Sequence, residues 1–420
     1  MRPRHVRLVL GTVLVATPAA LLVSPGVATG RAAATDDASV ILDWERTAFL
    51  TVYGDPPPPL PEPQPAPRTP IPVGVLYLAF TSLAMNDAVE MTRHEHASPT
   101  AAAATAAHDV LVEYYPDSAP DLDARLDESL EGVQDGRAED RGVVIGARAA
   151  AEMIDSRADD GRGDTSIVYS KPMEPGYWQP PATPPPGNML APWLGSVEPV
   201  VLKRLVRLDG PDRLRSKAYA RDYNEVLELG SADSTERTPF QTETAVFYNS
   251  NSAIMVGEAV VDLLEQDPMS LRSTALLFAR MHGSMADSVI KAWQLKRDVG
   301  FWRPFQAIAG WDTDGNPGTG PWPTPWVPLI ANPPYSDYVS GHASLTAPAV
   351  QTVRMMLGED TALTLHSYSL DTNRSYDDLS TIEHEAFHAR IWGGLHFRDA
   401  MEDGYALGHR TARKVGNRIR

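Results

Sequence analysis

Apolar residues recur along this chain at steps of three and four, and few segments alternate with period two. The pattern predicts a mainly helical protein. A first short helix is expected over 36–53, carrying Trp44 and Phe49. After a proline-dense stretch over 56–72, read as a surface linker, helices are expected over 73–91 and 101–115, the second ended by Pro116. A long pattern over 122–157 is divided by Gly132 and Gly136. The stretch 161–199 is rich in Pro, Gly and Trp, too long for an ordinary connection, and reads as a structured surface loop or a lid. Helical spacing resumes over 211–229, where Pro211 suits a first helical position, then over 242–264 and 269–297.

Composition adds two constraints. The chain has 420 residues, with 37 Lys+Arg against 54 Asp+Glu, a net charge of −17 and no Cys. Such an acidic surface repels nucleic acid and anionic membranes, so a local cluster of cations runs against the global charge. Without Cys there are no disulfides, no thiolate-bound zinc and no thiol catalysis. At the N-terminus, Arg2, Arg4 and Arg7 precede an apolar run from Leu8 to Val23, and Ala32-Ala33-Ala34 offers a cleavage site. This reads as a secretory signal over 1–34, and the mature protein is expected to be secreted and not inserted in a membrane. No later segment was expected to span one. The division expected is 1–34 signal, 35–72 N-terminal segment and linker, 73–265 N-terminal helical region and 266–420 a binding core.

Three separated clusters in that core carry the candidate chemistry. On the helix ending near Arg297, Lys296 shares a face with Met285, Val289, Ala292 and Trp293. A lysine on an apolar stripe is costly unless something pairs with it. Arg303-Pro304 follows seven residues on, past Gly300, where the helix is expected to end. The second cluster, Ser340-Gly341-His342, opens a helical pattern running to Leu357; a hydroxyl, a close-approach glycine and helix N-terminal amides suit an oxyanion, and His342 is placed as an acid or base. Simple capping by Ser340 is the alternative. The third cluster is Arg390, late in a helix over 380–391, and His396, after Gly393-Gly394. Arginine offers fork-like donors to oxyanions, and a neutral imidazole can ligate a metal or attack phosphorus. Together they outline one oxyanion pocket.

With these clusters the chain resembles the vanadium-dependent haloperoxidase and type 2 phosphatidic acid phosphatase superfamily, whose pattern is Lys-x6-Arg-Pro, then Pro-Ser-Gly-His, then Ser-Arg-x5-His-x3-Asp. Lys296 to Arg303-Pro304 matches fully. Val339 replaces the Pro before Ser340-Gly341-His342, and Ala389 replaces the Ser before Arg390. The resemblance implies an all-α helical bundle. It implies that Lys296, Arg303, Arg390, Ser340 and the Gly341 amide hold vanadate, that His396 ligates vanadium, and that His342 is the acid–base group. The implied reaction oxidises halide with hydrogen peroxide, and a small organic acceptor takes the product. Phosphate fits the same cradle, so a secreted acid phosphatase working through a phosphohistidine is the alternative, and a non-catalytic oxyanion-binding protein a third. One departure stands out: the pattern expects Asp at position 400, and the chain has Ala400. Asp399, or a residue from elsewhere, is expected to orient the His396 ring instead.

Three rival motifs are weaker. His384-Glu385-Ala386-Phe387-His388 matches the H-E-x-x-H zinc pattern but lacks a well-spaced third ligand. Asp312-Thr313-Asp314-Gly315-Asn316 resembles a calcium loop with Pro317 where Gly is needed, and reads as a turn. His94-Glu95-His96 reads as exposed polar residues after a helix. The sequence leaves a homodimer open.

Overall fold

The computed structural model describes residues 38–60, 66–180 and 188–420. The signal read over 1–34 lies outside the described residues. The first five helices are α1 (Ser39–Tyr53), α2 (Ile71–Met91), α3 (Pro99–Tyr114), α4 (Ala119–Glu131) and α5 (Arg137–Ser156). There follow α6 (Lys217–Leu229), α7 (Pro239–Phe247), α8 (Met255–Gln266), α9 (Leu271–Asp298) and α10 (Pro304–Ala309). The last are α11 (Ala343–Met356), α12 (Leu379–Trp392) and α13 (Arg398–Gly416). One antiparallel hairpin, β1 (Leu363–Ser367) and β2 (Thr372–Tyr376), pairs Leu363 with Tyr376 and Ser367 with Thr372. The mainly helical expectation holds.

The longest helix, α9, is the spine. Ser270 caps its start by accepting from the Ser273 amide at 3.2 Å. It packs against α1, α2, α11 and α13, so buried residues, mostly apolar but with His282, Asp287 and two serines among them, run along it from Leu271 to Lys296. α2 is buried on most sides as well. By length and composition Ile71–His94 would suffice to cross a membrane, contrary to the sequence expectation, but most of it is packed inside the protein. The alanine run of α3 is explained by α5. A Cβ on Gly142 or Gly146 would come within 2.5 Å of Ser98 O or 2.4 Å of Ala102 O, so the two backbones meet only because both faces carry small residues.

Several boundaries differ from the sequence reading. α6 begins at Lys217 and not at Pro211, because Ser216 caps it by accepting from the Tyr219 amide at 3.0 Å. The pattern over 242–264 is two helices, α7 and α8, separated around Asn249-Ser250-Asn251, where Asn251 bonds the Ala253 amide and competes with the helix. The described parts of the proline-dense stretch are pinned: Leu60 N–H reaches Ser369 O at 3.0 Å and Arg68 N–H reaches Tyr53 O at 3.0 Å. The described parts of the 161–199 loop are likewise clamped. Trp178 N–H donates to Gly300 O at 2.7 Å, Trp302 N–H to Gly176 O at 3.0 Å, and Leu190 N–H to Pro334 O at 2.9 Å. They therefore strap the two segments that carry Arg303 and the approach to Ser340. Asp314 and Asn316 form the expected turn, with Asn316 tied to Leu214 O and Ser216 O.

Candidate active site

The three clusters converge at the C-terminal end of α9. Lys296 is on the last turn of that helix and is fully buried, on the face shared with Met285, Val289, Ala292 and Trp293. Its ammonium donates to Ser336 O at 2.9 Å and Asp337 O at 3.0 Å, and lies 4.8 Å from the centre of the Tyr335 ring. Backbone carbonyls, not a carboxylate bond, hold it. The chain then turns at Gly300, whose φ is +66° and where a Cβ would meet Tyr169 Oη at 2.6 Å. Arg303 follows as the N-cap of α10 and is also fully buried. Its Nε donates to Tyr335 O at 2.9 Å and its Nη1 to Leu395 O at 2.8 Å. Its guanidinium lies 5.0 Å from the Tyr335 ring centre, so this one aromatic ring serves both cations.

Ser340, Gly341 and His342 precede α11. Ser340 Oγ accepts from the Ala343 amide at 3.2 Å, so it does cap the first turn, and its hydroxyl proton remains for another acceptor. A Cβ at Gly341 would lie 3.2 Å from the Trp293 ring and 3.8 Å from Lys296 Cε, which places this glycine against the lysine. His342 Nε2 lies 3.0 Å from Tyr248 O, and only a protonated nitrogen bonds a carbonyl. Nδ1 therefore accepts from Thr346 Oγ1 at 3.2 Å. Burial and then the nearby Arg390 charge push the His342 imidazole down to about 3, so it is neutral.

Arg390, on the last turn of α12, shares the same carbonyl: its Nη1 is 3.3 Å from Tyr248 O. Burial lowers its guanidinium to about 10. After Gly393 and Gly394 (φ +74°) the chain brings in His396. His396 is not on a helix; it lies just before Phe397, the N-cap of α13. The helical spacing that made Asp399 its expected partner does not apply. Asp399 instead accepts from the Asp212 amide at 3.1 Å and donates its own amide to Asp222 at 2.8 Å. The His396 ring meets Asp337: Nδ1 is 2.7 Å from Asp337 Oδ1, with both side chains buried. Nε2 is 3.3 Å from Arg303 Nη1. Guanidinium only donates, so Nε2 presents its lone pair and Nδ1 carries the proton. Burial, and then the charges of Arg303, Lys296 and Arg390, hold His396 well below its ordinary value. Burial raises the Asp337 carboxyl, and the Arg303 and Lys296 charges counter it.

All seven residues singled out from the sequence are thus brought together. The reading missed Asp337, Tyr335 and Tyr248. An acid three residues before Ser340, inside an otherwise buried run, was the available signal for Asp337. Tyr248 contributes a carbonyl oxygen, which no side-chain motif reveals. The β hairpin holds that peptide: Ser367 Oγ donates to Phe247 O at 2.8 Å, and Tyr376 Oη accepts from Tyr248 Oη at 2.8 Å. Glu385 of the zinc-like motif is turned to Tyr376 and Arg374, at 2.7 and 2.5 Å, away from His384 and His388.

Two buried donors, Arg303 Nη2 and Arg390 Nε, have no acceptor among the described residues. Leaving such a donor unpaired costs about 1–3 kcal/mol. A pocket with three cations, unpaired N–H groups and one imidazole lone pair fits a tetrahedral oxyanion, vanadate included.

Residues 276–420 match a family model described as the VCPO second helical-bundle domain. The fold is similar to that of the first bacterial vanadium-dependent iodoperoxidase, at 18% identity and a TM-score of 0.72, over 93% of this chain and 98% of that one. It is also similar to the holo-type bacterial vanadium-dependent chloroperoxidase, at 15% identity and a TM-score of 0.63, over 83% and 92% of the two chains. The apo-type structure gives 15% identity and a TM-score of 0.64, over 83% and 94%. No curated protein sequence matches the chain. Residues 276–420 thus match the VCPO second helical-bundle domain, and the chain shares its helical fold with these bacterial vanadium-dependent peroxidases.

Proposed function

We propose that this protein is a secreted vanadium-dependent haloperoxidase, oxidising halide with hydrogen peroxide and passing the product to a small organic acceptor. The observation that carries the reading is the pair of buried guanidinium donors without acceptors, on two arginines whose charges bear on His396, together with a His396 Nε2 that accepts from Arg303 Nη1. Lys296, Arg303, Arg390, Ser340 Oγ and the Gly341 amide would hold the oxygens of vanadate, and His396 Nε2 would ligate the metal. Bound vanadate supplies the Lewis acidity that activates peroxide. His342, neutral and anchored through Tyr248 O, is the group able to take up and return a proton at the rim of the cradle. The buried cations enforce a dry, positive site in which an anion gains far more than in water.

The same lone pair suits attack on phosphorus, so a phosphatase is the second reading, and simple oxyanion storage the third. Vanadium stoichiometry, vanadate-dependent bromination of a dye and hydrolysis of p-nitrophenyl phosphate separate them. Bromination that requires vanadate is expected. Hydrolysis inhibited by vanadate, without bromination, would transfer the assignment to the phosphatase. His396→Ala should lose both vanadium and halogenation; retention of full activity in that variant would refute the role given to His396.

A further inference from the structure

We infer that Asp337 is the positioning residue of His396, standing in for the carboxylate that Ala400 lacks; this rests on the haloperoxidase reading for its purpose but not for its test. The hydrogen bond is short, 2.7 Å, and closed to solvent. Asp337 is itself fixed at both backbone groups: its N–H donates to Phe301 O at 2.9 Å and its carbonyl accepts from Lys296 Nζ at 3.0 Å. Phe301 lies between Gly300 and Arg303, so one residue reads the placement of both cations and passes it to the ring. The place left by the missing side chain is visible. A void of about 10 Å³ is lined by Ala400, Asp337, Phe397 and Asp399, among others. The Asp337 carboxyl also lies against the Phe397 amide, which favours its charged form. A carboxylate added at 400 would stand near the Asp337 and Asp399 carboxyls that line the same void, a repulsive arrangement. In this chain the partner of the ring is Asp337. The bond keeps the proton on Nδ1 and turns Nε2 toward the cations, where an oxyanion has to meet it.

The test has two arms. Nitrogen-15 spectra of the anion-free wild type, with His396 assigned against His396→Gln, should show Nδ1 protonated; an unprotonated Nδ1 overturns the inference without any variant having to fold. In the second arm, orthovanadate and inorganic phosphate are titrated into wild type and Asp337→Asn. Loss of affinity by about 10–100-fold, the usual cost of removing a ligand-orienting partner, is expected alongside a wild-type circular dichroism spectrum. A variant that melts earlier but binds both anions like wild type would reduce Asp337 to a core salt bridge and sink the inference. A wild type that binds phosphate but not vanadate would remove the haloperoxidase reading while both arms still report on Asp337.

Discussion

Arg390→Met separates what the cation cluster does for the anion from what it does to the fold. In the anion-free protein Arg390 is buried, has one hydrogen bond of 3.3 Å to Tyr248 O, and has an unpaired Nε. Burial takes its guanidinium from the ordinary value down to about 10. That displacement corresponds to a penalty of about 3 kcal/mol on the charged form. The pKa is depressed on folding, so the full penalty applies at neutral pH and is relieved only above about pH 10. The single long hydrogen bond returns about 1 kcal/mol, and Tyr248 O keeps its His342 donor after the substitution. Methionine fills similar volume without a charge, so the anion-free variant should be more stable by about 2 kcal/mol, as when buried charges give way to apolar groups. Anion binding should move the other way. Two charge-assisted bonds to an oxyanion are together worth at least about 3 kcal/mol, so vanadate affinity should fall about a hundredfold. Urea unfolding with and without orthovanadate reads both effects. At a concentration a hundred times its dissociation constant, vanadate stabilises the wild type by about 2.7 kcal/mol, and the variant by only about 0.4 kcal/mol. The two stability orders should cross. An anion-free variant weaker than wild type, yet stabilised as much by vanadate, would refute the view of Arg390 as a donor waiting for an anion.

Three further outcomes are expected. His342→Ala should retain vanadium and lose turnover, since His342 shares only Tyr248 O with the cradle; tight binding with normal turnover, measured by dye bromination, would end its acid–base role. Gly300→Ala should cost about 2–5 kcal/mol, from the left-handed backbone and the contact with Tyr169, and thermal melting should show it. Glu45, fully buried between α1, α2 and α9 and bonded by Ser82 Oγ at 2.7 Å, is raised by burial to about 8. A carboxyl raised on folding holds its proton in the native state, so its contribution is lost as pH rises toward 8. Its neighbour His282, held down to about 3 by burial, has the opposite slope, but that slope ends by pH 6.5. Between pH 6.5 and 8 the wild type should therefore lose up to about 1.4 kcal/mol per pH unit through Glu45. Asp337 and Asp399, raised to about 8 and about 7, add slopes of the same sign, so Glu45→Gln should reduce the slope in urea titrations by up to about 1.4 kcal/mol per pH unit, and an unchanged slope would rule Glu45 out as a contributor.

The helical character, the end of α9 just before Gly300 and the seven residues that the fold brings together were legible in the sequence. The first two rest on short-range rules, three- and four-residue spacing and a glycine that takes positive φ; the seven residues stood out as one set through the resemblance, since each cluster alone also suits a cap, a snorkelling lysine or a helix terminus. Boundaries set by competing side chains, at Ser216 and around Asn251, were less legible, because a cap and a proline signal the same thing from neighbouring positions. What tertiary structure alone decided was partnership. That Lys296 is held by Ser336 O and Asp337 O, that Tyr248 O joins His342 to Arg390, and that Asp337 and not Asp399 orients His396 all depend on chain segments meeting across dozens of residues. Backbone carbonyls carry no sequence signature, and helical spacing says nothing about a residue that lies outside the helix. The sequence supplied the charges; the fold determined which lone pair each one faces.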